Sequence, residues 1–160
     1  YPNPPVYDVL IGNPIQSSHF QIYQHDYLEY VDSLSPEERW KRWSEEMSKC
    51  IRCLACRNAC PLCYCQECFA DSTQPLWVSP ASTPSDNLLF HLGRTMHMAG
   101  RCVECGACER ACPVSIPIAQ LPLKIEAIIR EQFQFEAGTD KENPAPLLTY
   151  RENDPGDFIK

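Results

Sequence analysis

The chain has 160 residues, 14 Lys and Arg against 21 Asp and Glu for a formal charge of −7, and an unusual load of 15 Pro and 11 Cys. The acidic balance argues against a nucleic-acid or anionic-membrane surface, and no apolar run reaches the roughly 18 residues that cross a bilayer. The length suits one domain, with the proline and cysteine counts describing a chain stapled by cofactors and draped in irregular segments. It opens at Tyr1 without a Met, so it reads as a trimmed sequence whose leader or earlier domain would lie before it.

Residues 1–18 hold four prolines and no periodicity, an extended arm whose Val6, Val9, Leu10 and Ile11 suit it to lying on a surface. From His19 to Asp32, Phe20, Tyr23, Tyr27 and Val31 recur at helical spacing. Ser35-Pro36-Glu37-Glu38 is a stronger start signal. Ser35 can cap, Pro36 suits the first helical position, and Glu38 completes a capping box. Trp40, Trp43 and Met47 then form one apolar stripe, expected to pack the core over the residues that follow. The next stretch is Cys50-Ile-Arg-Cys53-Leu-Ala-Cys56-Arg-Asn-Ala-Cys60-Pro61.

Three further cysteines, Cys63, Cys65 and Cys68, crowd residues 62–70. Residues 71–84 are rich in Ser, Thr and Pro and read as a loop, with Trp77 and Val78 as candidates for a partner contact. A helix over 85–99 is expected, capped by Ser85 with Asp86 at its positive end. Leu88, Leu89, Leu92, Met96 and Ala99 would line its buried face, and His91 and His97 would lie off it. Gly100 ends that helix.

The cysteine run then returns as Cys102-Val-Glu-Cys105-Gly-Ala-Cys108-Glu-Arg-Ala-Cys112-Pro113, each cysteine 52 positions after its counterpart. After an irregular apolar passage, a last helix is expected from Pro122 to about Phe133. Ile125, Ile128 and Ile129 face inward, with a Glu126–Arg130 pair outside. From Glu136 onward Gly, Pro and charge dominate, giving a second arm. The organisation expected is thus an arm and helix over 1–34, a central domain over 35–134 with a Cys-rich insertion at 62–70, and an arm over 135–160.

Each repeated run reads C-x2-C-x2-C-x3-C-P, the bacterial-type signature for holding [4Fe–4S] clusters. Three closely spaced thiolates wrap one cluster, and in two-cluster proteins the fourth serves the other cluster. Cys50, Cys53, Cys56 and Cys112 are therefore assigned to one cluster, and Cys102, Cys105, Cys108 and Cys60 to a second beside it. Disulfides fit poorly, because the cysteine count is odd and nothing marks a small secreted scaffold. Structural zinc favours paired C-x2-C knuckles. For Cys63, Cys65 and Cys68 three readings stand open. They form a third metal site, zinc or iron–sulfur, completed by His91, His97, an Asp or a partner's residue. Alternatively they are buried thiols beside the clusters, or a redox-active pair.

These motifs make the chain resemble the two-cluster ferredoxin-like electron carriers. Helices entering both motifs, without convincing strands, are similar to the α-helical ferredoxin type over residues 36–132. That type includes the iron–sulfur subunits of heterodisulfide reductase and succinate dehydrogenase-type complexes, and the phrases Arg101–Cys108 and Ala111–Val114 resemble subunits of anaerobic hydrogenase, formate dehydrogenase and electron-bifurcating assemblies. The resemblance implies a mainly α domain around two adjacent clusters, with the α+β bacterial ferredoxin as the alternative. It also implies an electron-relay subunit, non-catalytic itself, in a cytoplasmic, anaerobic oxidoreductase complex. Its partners would be flavin- or metal-containing redox subunits or ferredoxin.

A cluster with four cysteine ligands has no open position and moves single electrons. No Gly-rich dinucleotide fingerprint is present, so nucleotide chemistry belongs to partners. Competing readings are a free-standing diffusible ferredoxin, a catalytic subunit with an open third site, and clusters used as folding staples.

Overall fold

The computed structural model describes residues 18–150 and 152, with side chains from Asp26 onward. Residues 1–17 of the arm expected over 1–18, the side chains of Phe20 and Tyr23, and the end of the second arm lie outside these; Ser18 already belongs to a helix. The described residues are helical and contain no strand, so the mainly α expectation holds over the α+β alternative.

Helix α1 spans Ser18–Ser33. Helix α2, Pro36–Ser48, begins as its sequence requires. Ser35 Oγ accepts the Glu38 N–H at 3.2 Å, the Glu38 carboxylate accepts the Ser35 N–H at 2.7 Å, and Pro36 follows the cap. Its apolar stripe divides. Met47 is fully buried and Trp43 packs on the core, but Trp40 is 64% exposed, against the expectation that it too covers the core. Short helical turns, α3 (Ala55–Asn58) and α5 (Ala107–Arg110), occupy the same place in each cysteine run.

Helix α4, Pro84–Met98, is capped by Thr83 rather than Ser85: Thr83 Oγ1 accepts the Asp86 N–H at 3.2 Å, and Pro84 takes the first helical position. Its buried face also differs from the expected one. Asn87, Phe90, His91, Arg94, Thr95 and Met98 point inward, whereas Leu89, Leu92 and Met96 are exposed. Helix α6 runs Gln120–Phe133, two residues earlier than its proline suggests. Here Glu126 is buried, not outside, and accepts the Gly100 N–H at 2.9 Å; Arg130 reaches Glu104 at 2.7 Å instead of pairing with it.

Helix α4 is the central element, packing on α2 and α6, while α3 lies against α5 and α1 rests on α6. One core joins Met47, Cys56, Val78, Phe90, Ile116 and Ile118. Full burial of an apolar side chain of this size is worth roughly 1.5–3 kcal/mol. Of the loop pair offered for partner contact, Val78 belongs to this core and Trp77 is exposed. A second cluster joins Ile129, Phe135 and Ala145, so the described part of the second arm packs back on α6. Pro146–Leu148 forms a 3-10 turn there.

Candidate metal centre

The two cysteine runs share a backbone course. Arg52 and Glu104 have φ of 48° and 56°, and Leu54 and Gly106 have 61° and 70°. These left-handed residues coil each C-x2-C-x2-C segment tightly enough to aim three thiols at one place. Gly106 meets the requirement without strain; Leu54 meets it with a side chain and carries the cost.

Cys50, Cys53, Cys56 and Cys112 line one narrow, apolar hollow with Leu54, Phe90, Ile116 and Ile118. Cys102, Cys105, Cys108 and Cys60 line a second, of about 650 Å³, closed by Tyr27 and Tyr30 of α1 and Arg42 of α2. Each hollow thus takes three thiols from one run and the fourth from the other. The Arg52 N–H lies 3.4 Å from Cys50 Sγ, and the Ile116 N–H 3.4 Å from Cys112 Sγ. These are donors of the kind that tune thiolate-bound clusters. Among the described residues no three His, Cys, Asp or Glu side chains gather closely enough for a single metal ion. An iron–sulfide cage holds its thiolates farther apart than one ion does, and the donor set, four thiols around each hollow, suits the cage.

Burial dominates the chemistry of the thiols. It pushes Cys102 up to about 12 and Cys56 up to about 11, the latter against the pull of nearby Arg94. Cys50 and Cys108 are raised for the same reason. The thiolate forms therefore depend on bound metal, and binding it displaces protons. Burial also lifts Glu126 to about 7, although the Gly100 and Cys102 N–H groups favour its ionised form.

Several residues at the site were not singled out by sequence. Asn87, fully buried, donates from Nδ2 to Met47 O at 3.1 Å and Cys50 O at 2.8 Å, and accepts from Arg52 Nε at 3.1 Å. Arg52 also donates to the carbonyls of Ser79 and Ala81. His91, expected off the buried face, is 1% exposed with Nε2 3.5 Å from Cys50 Sγ. Burial, then the charges of Arg94 and Arg52, lower it to about 4, so it stands neutral. For Asn87 the only signal in the sequence is polarity inside a helix that has to face thiols; Arg52 lies within the first cysteine run, and His91 is by sequence a candidate for a third site instead.

The three additional cysteines line a separate cavity of about 300 Å³ with His97, Asp71, Arg57 and Arg94. His91 is not among its walls. Cys65 is exposed, Cys63 Sγ lies 4.0 Å from Met98 Sδ, and Asp71 is held by Arg57 at 2.5 Å.

Residues 97–117 match the 4Fe-4S binding domain family, and this match, with the relatives that follow, supports an iron–sulfur subunit of the ferredoxin-like, electron-transfer kind. More particularly, the chain is 34% identical over 111 residues to the F420-dependent formate dehydrogenase subunit beta of Methanocaldococcus jannaschii, covering 69% of this chain and 28% of that one. Against the F420-dependent formate dehydrogenase 1 subunit beta of Methanococcus maripaludis the identity is 38% over 107 residues, covering 67% and 27%. Lactate utilization protein B of Bacillus cytotoxicus is 30% identical over 139 residues, covering 87% and 27%. The chain thus spans little more than a quarter of the length of the curated relatives it matches. No helix of the described residues is long and apolar enough to cross a membrane.

Proposed function

We propose that this chain is the two-cluster relay segment of an oxidoreductase complex, passing single electrons between redox partners. Cys50, Cys53, Cys56 and Cys112 would hold one [4Fe–4S] cluster, and Cys102, Cys105, Cys108 and Cys60 the other. The observation that carries the reading is the exchange of fourth thiols between two neighbouring hollows, which keeps two redox centres adjacent within one folded unit. When bound, each cluster supplies a reversible one-electron store. The chain's own part is to fix the spacing through α3 packed on α5, to exclude water with Phe90, Ile116 and Ile118, and to present N–H groups to sulfur.

The relatives' names point to formate dehydrogenase assemblies. We accordingly propose flavin- or metal-containing subunits as partners, in the cytoplasm of an anaerobic cell. The domain limits proposed are 35–134 for the relay unit, with 1–34 and 135–160 flanking it. Cys63, Cys65 and Cys68 are the candidate donors of a third site.

The test is anaerobic iron, sulfide and zinc quantitation of the loaded chain, with EPR after dithionite reduction. About eight iron with two interacting reduced centres supports the reading, and additional iron or zinc assigns the third site. Four iron or fewer in a fully loaded sample overturns it. The exchange has its own test: Cys112→Ser should disturb the same EPR centre as Cys53→Ser. If it instead matched Cys105→Ser, each run would hold its cluster alone.

A further inference from the structure

Arg94 of α4 enters the junction between the two thiol sets. It is 5% exposed, and its Nη2 donates to the Cys56 carbonyl at 3.1 Å. The guanidinium's charge also reaches the Cys56, Cys108 and Cys63 thiols, and it forms part of the wall of the larger four-thiol hollow. Cys56 and Cys108 are the third cysteines of the two runs, carried on α3 and α5 where these pack together. One cation therefore serves equivalent positions in both sets.

Its surroundings lack the usual counter-charge. Among the described residues no carboxylate pairs with Arg94, and its buried Nε has no partner. Other arginines here are engaged elsewhere: Arg52 on carbonyls and Asn87, Arg57 on Asp71, Arg130 on Glu104. A guanidinium taken out of water needs compensating negative charge, and thiolate-bound clusters provide it. We propose that Arg94 is a shared potential-setting residue, whose fixed charge between Cys56 and Cys108 raises the reduction potentials of both cluster sites together. This inference rests on the two-cluster reading above.

Adding one electron to either site adds one negative charge, and the nearby cation stabilises the reduced form more than the oxidised one. No proton or covalent change is involved. For a unit charge ~4–8 Å from an added electron, at an effective dielectric constant near 20, the attraction is worth roughly thirtyfold to a thousandfold in the oxidised-to-reduced ratio. Relaxation and counter-ions reduce this, leaving an expected change of about tenfold or more, where each tenfold is about 59 mV for one electron. Because both sites feel the same charge, their midpoints should move in parallel and the driving force between them should stay nearly constant.

The test is an EPR-monitored redox titration of the full, anaerobically loaded chain and its Arg94→Gln and Arg94→Lys variants. Arg94→Gln should lower both midpoints by at least the equivalent of tenfold, while Arg94→Lys, which keeps the charge, stays within about threefold of the parent. A Gln variant with both midpoints unmoved, or with only one moved, overturns the proposal. Should the Gln variant fail to load, the Lys variant decides. Loading with parental midpoints supports the charge as the agent; failure to load, or a fall in both midpoints, overturns it. A parent chain without two one-electron centres would instead sink the relay reading itself.

Discussion

Asn87→Ala should destabilise the protein severely for a change of one small polar side chain. The amide is fully buried and joins α4 to the end of α2 and the start of the first cysteine run. Truncation removes both Nδ2 bonds, to Met47 O and Cys50 O, and the bond that Oδ1 accepts from Arg52 Nε. At about 1 kcal/mol for each of these three bonds the loss is about 3 kcal/mol, before any cavity contribution. For a chain of this length each kcal/mol moves the midpoint by roughly 2–4 °C, so a fall of about 9 °C is expected. Thermal unfolding of the loaded protein, followed by circular dichroism at one scan rate, measures it; a fixed rate is needed because cluster loss makes unfolding irreversible. Iron retention on mild heating should fall in parallel, with the centre involving Cys50 lost first. A shift below about 3 °C with unchanged iron retention would refute the idea that this amide ties the three segments together.

The remaining predictions concern separate parts of the molecule. Glu38, held below the usual carboxylate range by the backbone and hydroxyl of Ser35, contributes stability above its unfolded pKa and loses it as pH falls through its lower folded value. The melting-point gap between the parent and Glu38→Gln should accordingly be widest near neutrality, begin to narrow near the ordinary value of 4.5, and close only below the lowered folded value. Gly106→Ala places a Cβ at φ +70°, 3.0 Å from the movable Arg110 side chain, and should cost about 1 kcal/mol in denaturant unfolding; no loss would mean the turn relaxes freely. Stripping iron with a chelator should lower the apparent melting temperature sharply, because it leaves buried thiols and Arg94 without their common counterpart. An unchanged melting curve would show that the fold does not depend on metal.

What the sequence disclosed and what it hid have a common physical origin. The Ser35 capping box and the two left-handed cysteine coils are made by residues close along the chain, so their spacing carried the information. The inner face of α4 was misread because apolar periodicity assumes a greasy core. Here the helix faces thiols and backbone carbonyls inside the fold, which call for donors such as Asn87 and Arg94, and Leu89 and Leu92 turn outward. The Glu126–Arg130 spacing suggested an external pair for the same local reason. The buried end of α4 instead requires an acceptor for the Gly100 N–H, and Glu126 is the side chain within reach. That need arises only once α4 and α6 meet.

The exchange of fourth thiols has a consequence for how such a chain can be divided. A break in the Ser72–Ser82 loop would separate two fragments of similar design, each with three thiols of one set and the missing donor of the other. With the fourth thiols exchanged as proposed, neither fragment would complete its quartet by itself, although the pair together would hold every part. On the proposed exchange, an internal repeat that looks modular on paper has halves that complete each other, and a gene for one alone would encode an unfinished site.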